Sequence, residues 1–194
     1  MPKTQSNRIS EIDFLRGIAI IMMIIFHFMW DLTYFNLSNA DLYSSMGFWG
    51  IFQKITGSLF IFIVGISLTL SYWRTAEYKG VYPKKFLLRG ARIFGLGLII
   101  TSFSYIFMPD SFVFFGILHF IGIAIIIATP FIRFTLFNLL LSIASLLLSF
   151  YINNTTLGFP WLVWLGFNYP VSTLDIYQVF PWLFLVFLGM FIGN

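Results

Sequence analysis

Six stretches of this sequence are each apolar enough, over enough residues, to cross a lipid bilayer, and that property leaves few folds open. A spanning helix needs about 20 mostly apolar residues. Runs of this kind lie at 13–34, 47–73, 87–107, 113–132, 134–152 and 174–193. Composition agrees, since 59% of the 194 residues are hydrophobic and only 9% are charged. A soluble domain carries roughly 25% charged residues, so a water-facing surface cannot be built here and the solvent must be lipid. The expected fold is all-α: a polytopic membrane helix bundle of about six transmembrane helices, forming one domain over 1–194. Its expected location is the cell membrane, as a multi-pass protein.

Between the last two runs lies "NNTTLGFPWLVWLGFNYPVSTLD", rich in Trp, Phe, Pro and Gly. Aromatic residues gather at membrane–water boundaries, so this stretch reads as interfacial or re-entrant. No cleavable signal is expected, because Met1 to Glu11 is polar and the apolar run behind it is too long for a signal peptide. The chain ends at Asn194 directly after an apolar run, which fits a further span beyond it. With no cysteine, disulfides, thiolate metal sites and cysteine nucleophiles are excluded.

Lys and Arg stay preferentially in the cytoplasm. Lys3, Arg8 and Arg16 precede or open the first run; Arg74, Lys79, Lys84, Lys85, Arg89 and Arg92 flank the link from the second to the third; Arg133 lies between the fourth and fifth. The alternate links 35–46, 108–112 and 153–173 hold no Lys or Arg, and Lys54 is the one exception to this one-sided pattern. The expected N-terminus is therefore cytoplasmic, and the net charge of +4 reflects membrane sidedness rather than nucleic-acid binding.

The first run, "DFLRGIAIIMMIIFHFMWD", carries four ionisable side chains. Asp13, Arg16, Ile20, Met23, His27 and Asp31 are spaced 3, 4, 3, 4 and 4, which places all six in one stripe of a helix. At about 1.5 Å per residue, His27 stands roughly 17 Å above Arg16 and about 6 Å below Asp31. Asp13 and Arg16 could anchor the helix in the headgroups by snorkelling. His27 lies too deep for that. It reads either as an interhelical hydrogen-bonding group or as a centre of catalysis or proton handling. Gly17 beside the stripe would let a backbone or a ligand approach closely.

Counting inward from the outer ends, His119 in "FFGILHFIG" and Lys54 with Gln53 in "GIFQKITGS" fall within the same roughly 10 Å layer as His27 and Asp31. Two His, a Lys and an Asp at matched depth suggest a polar chamber. No HExxH or other dense ligand spacing occurs, so no metal is expected. Asp175, ahead of the last run, could cap that helix or face the chamber, and Pro181 permits a kink there. On the cytoplasmic side, Arg89 and Arg92 are one turn apart with Lys84 and Lys85 just upstream. They read as anchors to anionic headgroups or as a phosphate clamp. No Walker or GxGxxG loop is present.

The stretch "RISEIDFLRGIAIIMMIIFHFMWDL" resembles the opening of the bacterial and archaeal proteins grouped with the heparan-α-glucosaminide N-acetyltransferase catalytic domain, within the wider transmembrane acyltransferases. "FIFIVGISLTLS", "FGILHFIG" and "DIYQVFPWLFLVFLGMFIG" match further along, in the family's order. The resemblance implies an enzyme that takes an acyl group from cytoplasmic acyl-CoA and passes it to an acceptor at the other face. It assigns the catalytic centre to His27, and to Arg16 the CoA end or the architecture. The eukaryotic lysosomal branch has Asn in place of this His and a His in the following lumenal segment, whereas 35–46 contains none. The glucosamine acceptor of that branch is therefore not carried over.

Combined, these readings give an acyl-CoA-dependent transferase acting on an amine or hydroxyl, expected on a sugar-like extracytoplasmic acceptor. Arg16, Arg89, Arg92 and Lys85 would hold the phosphates of acetyl-CoA. His27 would act as general base or be acylated transiently. Asp31 would orient it, and Lys54 or His119 would stabilise the oxyanion. The alternative is a proton-coupled transporter, for which midmembrane His, Asp and Lys also serve; such folds often show two related halves, which this sequence lacks. A third possibility is a scaffold, whose two histidines would lie apart, each bonded to neighbouring backbone.

Overall fold

In the computed structural model, residues 10–42, 44, 46–75, 82–109, 112–155, 159–168, 173 and 175–194 are described. Lys3, Arg8 and Lys79, used above for orientation, lie outside them. The apolar runs become six α-helices: α1 Ser10–Tyr34, α2 Phe48–Thr75, α3 Tyr82–Phe107, α4 Ile117–Ala128, α5 Thr135–Asn153 and α6 Val179–Gly193. Short 3-10 turns follow α4 at Thr129–Phe131 and precede α6 at Pro160–Leu165. The second of these falls inside the aromatic link. By contact, the chain divides into two compact units, Met1–Ile63 and Val64–Asn194.

In the first unit, α1 has an acidic first turn, with Glu11 and Asp13 near the positive end of the helix dipole. It stops by a sequence-specific device. The Leu37 N–H donates to the Leu32 carbonyl at 2.8 Å and the Asn36 N–H to that of Thr33 at 3.0 Å, while Asn36 takes φ +58°. This is a Schellman cap with Asn in the left-handed position, where its short polar side chain is tolerated. Asp41 then accepts the Ser44 N–H at 3.0 Å, turning the chain toward α2.

In the second unit, α3 pairs with α4 and α5 with α6. Small residues set the first pairing. A Cβ on Gly122 would lie 2.7 Å from the Phe94 backbone nitrogen, and one on Gly90 would lie 2.8 Å from the Gly122 carbonyl. Phe86 of α3 and Phe120 of α4 are both fully buried. The last part of α2 meets α6 in the same manner, Gly65 against the Val186 carbonyl and Gly193 against the Thr69 side chain. At the ends, Asn194 donates to the Ile132 carbonyl at 3.1 Å and accepts from Trp73 Nε1 at 3.0 Å, linking α2, α6 and the turn before α5.

Four helices, with spans of 25, 27, 25 and 19 residues, are long and apolar enough to cross a membrane; α4, with its 3-10 turn, and α6 are shorter apolar helices. The expected runs at 113–132 and 174–193 thus shed their first turns. Described residues of the two stretches pair with each other instead. Phe115 and Ile176 form a parallel bridge, and the Tyr177 N–H donates to the Phe115 carbonyl at 2.8 Å. The Thr173 hydroxyl accepts the Phe114 N–H at 3.2 Å and bonds the Phe112 carbonyl at 2.9 Å. The kink permitted at Pro181 occurs one residue earlier, where Phe180 has φ −101° and ψ 124°. That is the extended conformation proline imposes on its predecessor.

Glycine packing of α3 on α4 predicts opposite results for two Gly→Ala changes in the same unit. Gly122→Ala forces a methyl into backbone and should destabilise by about 1–3 kcal/mol. Gly95→Ala, with nothing within 4 Å of the new Cβ, should be neutral or gain roughly 0.5–1 kcal/mol from helix propensity. Thermal unfolding in detergent separates them; equal midpoints would refute the close approach.

Candidate active site

In the first unit, α1 presents two faces. Ile12, Leu15, Ala19, Met22, Phe26, Met29 and Thr33, spaced 3, 4, 3, 4, 3 and 4, are buried or half-buried. Asp13, Arg16, Ile20, Met23, His27 and Asp31 are exposed. The ionisable stripe read from spacing therefore lies on the exposed side of the helix, together with apolar residues such as Phe14, Ile21 and Phe28. At its start Arg16 donates to Asp13 Oδ1 at 2.7 Å, an i, i+3 pair with both side chains about half exposed. A Cβ added at Gly17 would meet nothing within 4 Å, so space rather than another backbone lies beside this pair.

His27 is held by its own helix. Its Nδ1 lies 2.8 Å from the Met23 carbonyl. A carbonyl can only accept, so in the neutral ring Nδ1 carries the proton and Nε2 keeps its lone pair. The Phe26 ring meets the imidazole edge-on, with centroids 6.0 Å apart. Asp31, one turn on, does not occupy the proton-bearing nitrogen, because Met23 does. Lys54 is exposed in the second turn of α2, with Gln53 half-buried beside it.

The second unit holds the remaining expected residues. Lys84, Lys85, Arg89 and Arg92 are all exposed in the first turns of α3. Lys85, Arg89 and Arg92 share a face, while Phe86 and Gly90 turn inward to α4. Lys85 Nζ lies 5.7 Å from the centroid of the Phe86 ring. Three cations at a helix N-terminus add to its dipole and make an anion-attracting end.

His119, in contrast, is 2% exposed in the first turn of α4. Its Nε2 is 3.3 Å from Thr101 Oγ1, and that hydroxyl gives its proton to the Val113 carbonyl at 2.8 Å. The hydroxyl must then accept from the ring, so Nε2 bears the proton. Nδ1 is buried with no hydrogen-bond partner among the described residues, against Gly97, where an added Cβ would come within 2.9 Å. Phe94 packs edge-on and Phe115 stacks on the ring, with centroids 5.3 and 5.4 Å away. The two histidines thus have opposite tautomers and opposite exposure.

Sequence reasoning overlooked the partners of His119. Gly90, Phe94, Gly97, Thr101 and Ser104, spaced 4, 3, 4 and 3 in "GARIFGLGLIITSFS", form the α3 face that meets α4, and that small-residue period could have revealed it. Asp175 was read as a cap of its own helix or a chamber residue. Its carboxylate lies beside Gly116, the N-cap of α4, 3.2 Å from where a Cβ would stand. No group of three or more His, Asp or Glu able to hold a metal occurs among the described residues.

The family model described as "Heparan-alpha-glucosaminide N-acetyltransferase, catalytic" matches residues 8–194. No curated protein and no solved structure matches the chain. The family match takes in all six helices, the ionisable stripe of α1 and the basic start of α3. With four helices able to cross a bilayer, this multi-pass membrane protein belongs to the heparan-α-glucosaminide N-acetyltransferase catalytic family, named for an acetyl-transferring enzyme.

Proposed function

We propose that the protein moves an acetyl group from acetyl-CoA, held on the basic side of the membrane, to an amine or hydroxyl of a sugar at the opposite side. The observation that carries this reading is the pinned imidazole of His27, whose Nε2 lone pair is presented on the exposed stripe of α1. A base needs a fixed orientation and an unprotonated nitrogen, and the Met23 carbonyl supplies both by occupying Nδ1.

Nε2 takes the proton from the acceptor as its oxygen or nitrogen attacks the thioester carbon. The tetrahedral intermediate then breaks its C–S bond, and the imidazolium returns the proton to the departing thiolate. Asp31, about 6 Å further along the helix, is the carboxylate proposed beside the reacting imidazole. Lys54 is the cationic group proposed for the oxyanion. Arg16, Lys85, Arg89 and Arg92 are proposed for the phosphates, because Arg matches phosphate bidentately and Lys adds point charge. Open space at Gly17 leaves room for the uncharged arm of the donor to pass Arg16 toward His27. His119 fits a structural part in joining α3 to α4, since its protonated nitrogen is engaged with Thr101.

Release of free thiol from radiolabelled acetyl-CoA, in detergent with a panel of amino sugars and sugar alcohols, tests the reading. His27→Ala should lower turnover by about 10²–10⁴-fold with an unchanged thermal midpoint. Full turnover in a folded His27→Ala protein would remove the proposed base. Arg89→Gln with Arg92→Gln should act differently. Loss of two charge-assisted contacts, roughly 1.5–3 kcal/mol each before solvent screening, should raise KM for acetyl-CoA about tenfold or more while kcat changes little. An unchanged KM would place the phosphates elsewhere.

A further inference from the structure

Helix α5 wears its polarity on the inside. Asn138, Ser142, Ser145 and Ser149 are 0, 4, 6 and 3% exposed, and their spacing of 4, 3 and 4 puts them in one stripe. Leu136, Leu140, Leu147 and Phe150 are exposed instead. The stripe meets α6, where the Ser142 hydroxyl donates to the Phe184 carbonyl at 2.9 Å. That bond uses the only proton of the hydroxyl and leaves its oxygen able to accept.

One turn earlier, Asn138 is fully buried, and neither its Oδ1 nor its Nδ2 has a hydrogen-bond partner among the described residues. A carboxamide stranded in an apolar interior is costly, and native proteins rarely tolerate one. The group that satisfies it must accept from an N–H and donate to a carbonyl oxygen at once. It must also be small, because residues four apart on a helix leave only about 5–6 Å between their Cβ atoms. Water meets both conditions, and buried waters typically make about three hydrogen bonds.

We propose that one internal water is bound between Asn138 and Ser142 at the α5–α6 interface. It accepts from Nδ2–H and donates one proton to Oδ1, closing a ring in the plane of the amide. Its second proton goes to Ser142 Oγ. Asn138 is then tied through water and hydroxyl to the Phe184 carbonyl of α6, and the α5–α6 pairing gains a polar lock that fixes its register.

The test is an experimental map of the full chain at about 2 Å, combined with thermal unfolding in detergent of Ser142→Ala, Asn138→Leu and the double variant. Density about 2.7–3.2 Å from both amide atoms and from Ser142 Oγ is expected. The fall in midpoint caused by Ser142→Ala should be at least twofold larger in the parent than in the Asn138→Leu background. Direct protein partners for both amide atoms in the map, or equal falls in the two backgrounds, would overturn the proposal. The density alone decides if Asn138→Leu yields no folded protein.

Discussion

In hydrocarbon, a backbone N–H or C=O that lacks a partner within the protein has no water to turn to, and each such group costs several kcal/mol. That requirement shapes this chain more than any side-chain contact does. It makes helices of the six apolar runs, and it also governs where helix gives out. Ahead of α4 and α6 the chain is not helical, yet the Tyr177 N–H is bonded to the Phe115 carbonyl, and the Phe114 N–H and Phe112 carbonyl are bonded to the Thr173 hydroxyl. The two short helices thus have part of the backbone ahead of them bonded between the two stretches. The device at the end of α1, with Asn36 and Leu37 folded back on Thr33 and Leu32, obeys the same demand on a smaller scale.

Once helices have formed, lipid gives them little reason to associate by apolar burial, since acyl chains solvate Leu as well as a neighbouring helix does. Close approach and polar bonds must do it. Gly90 and Gly122 bring α3 and α4 within backbone reach, and Gly65 and Gly193 do so for α2 and α6. The α5–α6 pair uses the Ser142 hydroxyl, bonded to the Phe184 carbonyl. The burial pattern is accordingly inverted from that of a soluble bundle. On α3 and α5 the large apolar residues, Leu96, Ile99, Phe103, Leu140 and Leu147 among them, face outward, and small or polar residues mark the packed side.

This inversion explains which parts of the molecule could be read from the sequence. Span positions follow from hydropathy alone, and all six runs hold a helix within a few residues of its expected place. The stripe of α1 was legible because ionisable side chains are rare in such a helix and their 3–4 period stands out against Ile and Met. The inward polar stripe of α5 has the same period, but Asn and Ser attract less notice than Asp or His. The shortening of α4 and α6 was not legible, because Phe, Val and Ile in 112–117 and 174–179 suit an extended chain as readily as an apolar helix. For the same reason Asp175 does not cap α6, one of the two places that its sequence position allows. Its helix start, once moved to Val179, left the carboxylate beside Gly116 and the N-terminus of α4.

Spacing puts His27 and His119 at matched depth, and the difference between them lies in hydrogen-bond partners, which depth does not specify. His27 bonds a carbonyl of its own helix, a partner any helical His can find four residues back, so in the neutral ring its outer nitrogen keeps a lone pair. His119 bonds a hydroxyl of a neighbouring helix, and that hydroxyl is itself committed to the Val113 carbonyl. Its proton is therefore drawn to Nε2, and its remaining lone pair is sealed against Gly97 between two aromatic rings. A base must exchange its proton with a reactant, which demands an accessible lone pair as well as a suitable ring. On that physical ground the imidazole of α1 meets the access condition for the proposed base, whereas the imidazole of α4 joins two helices.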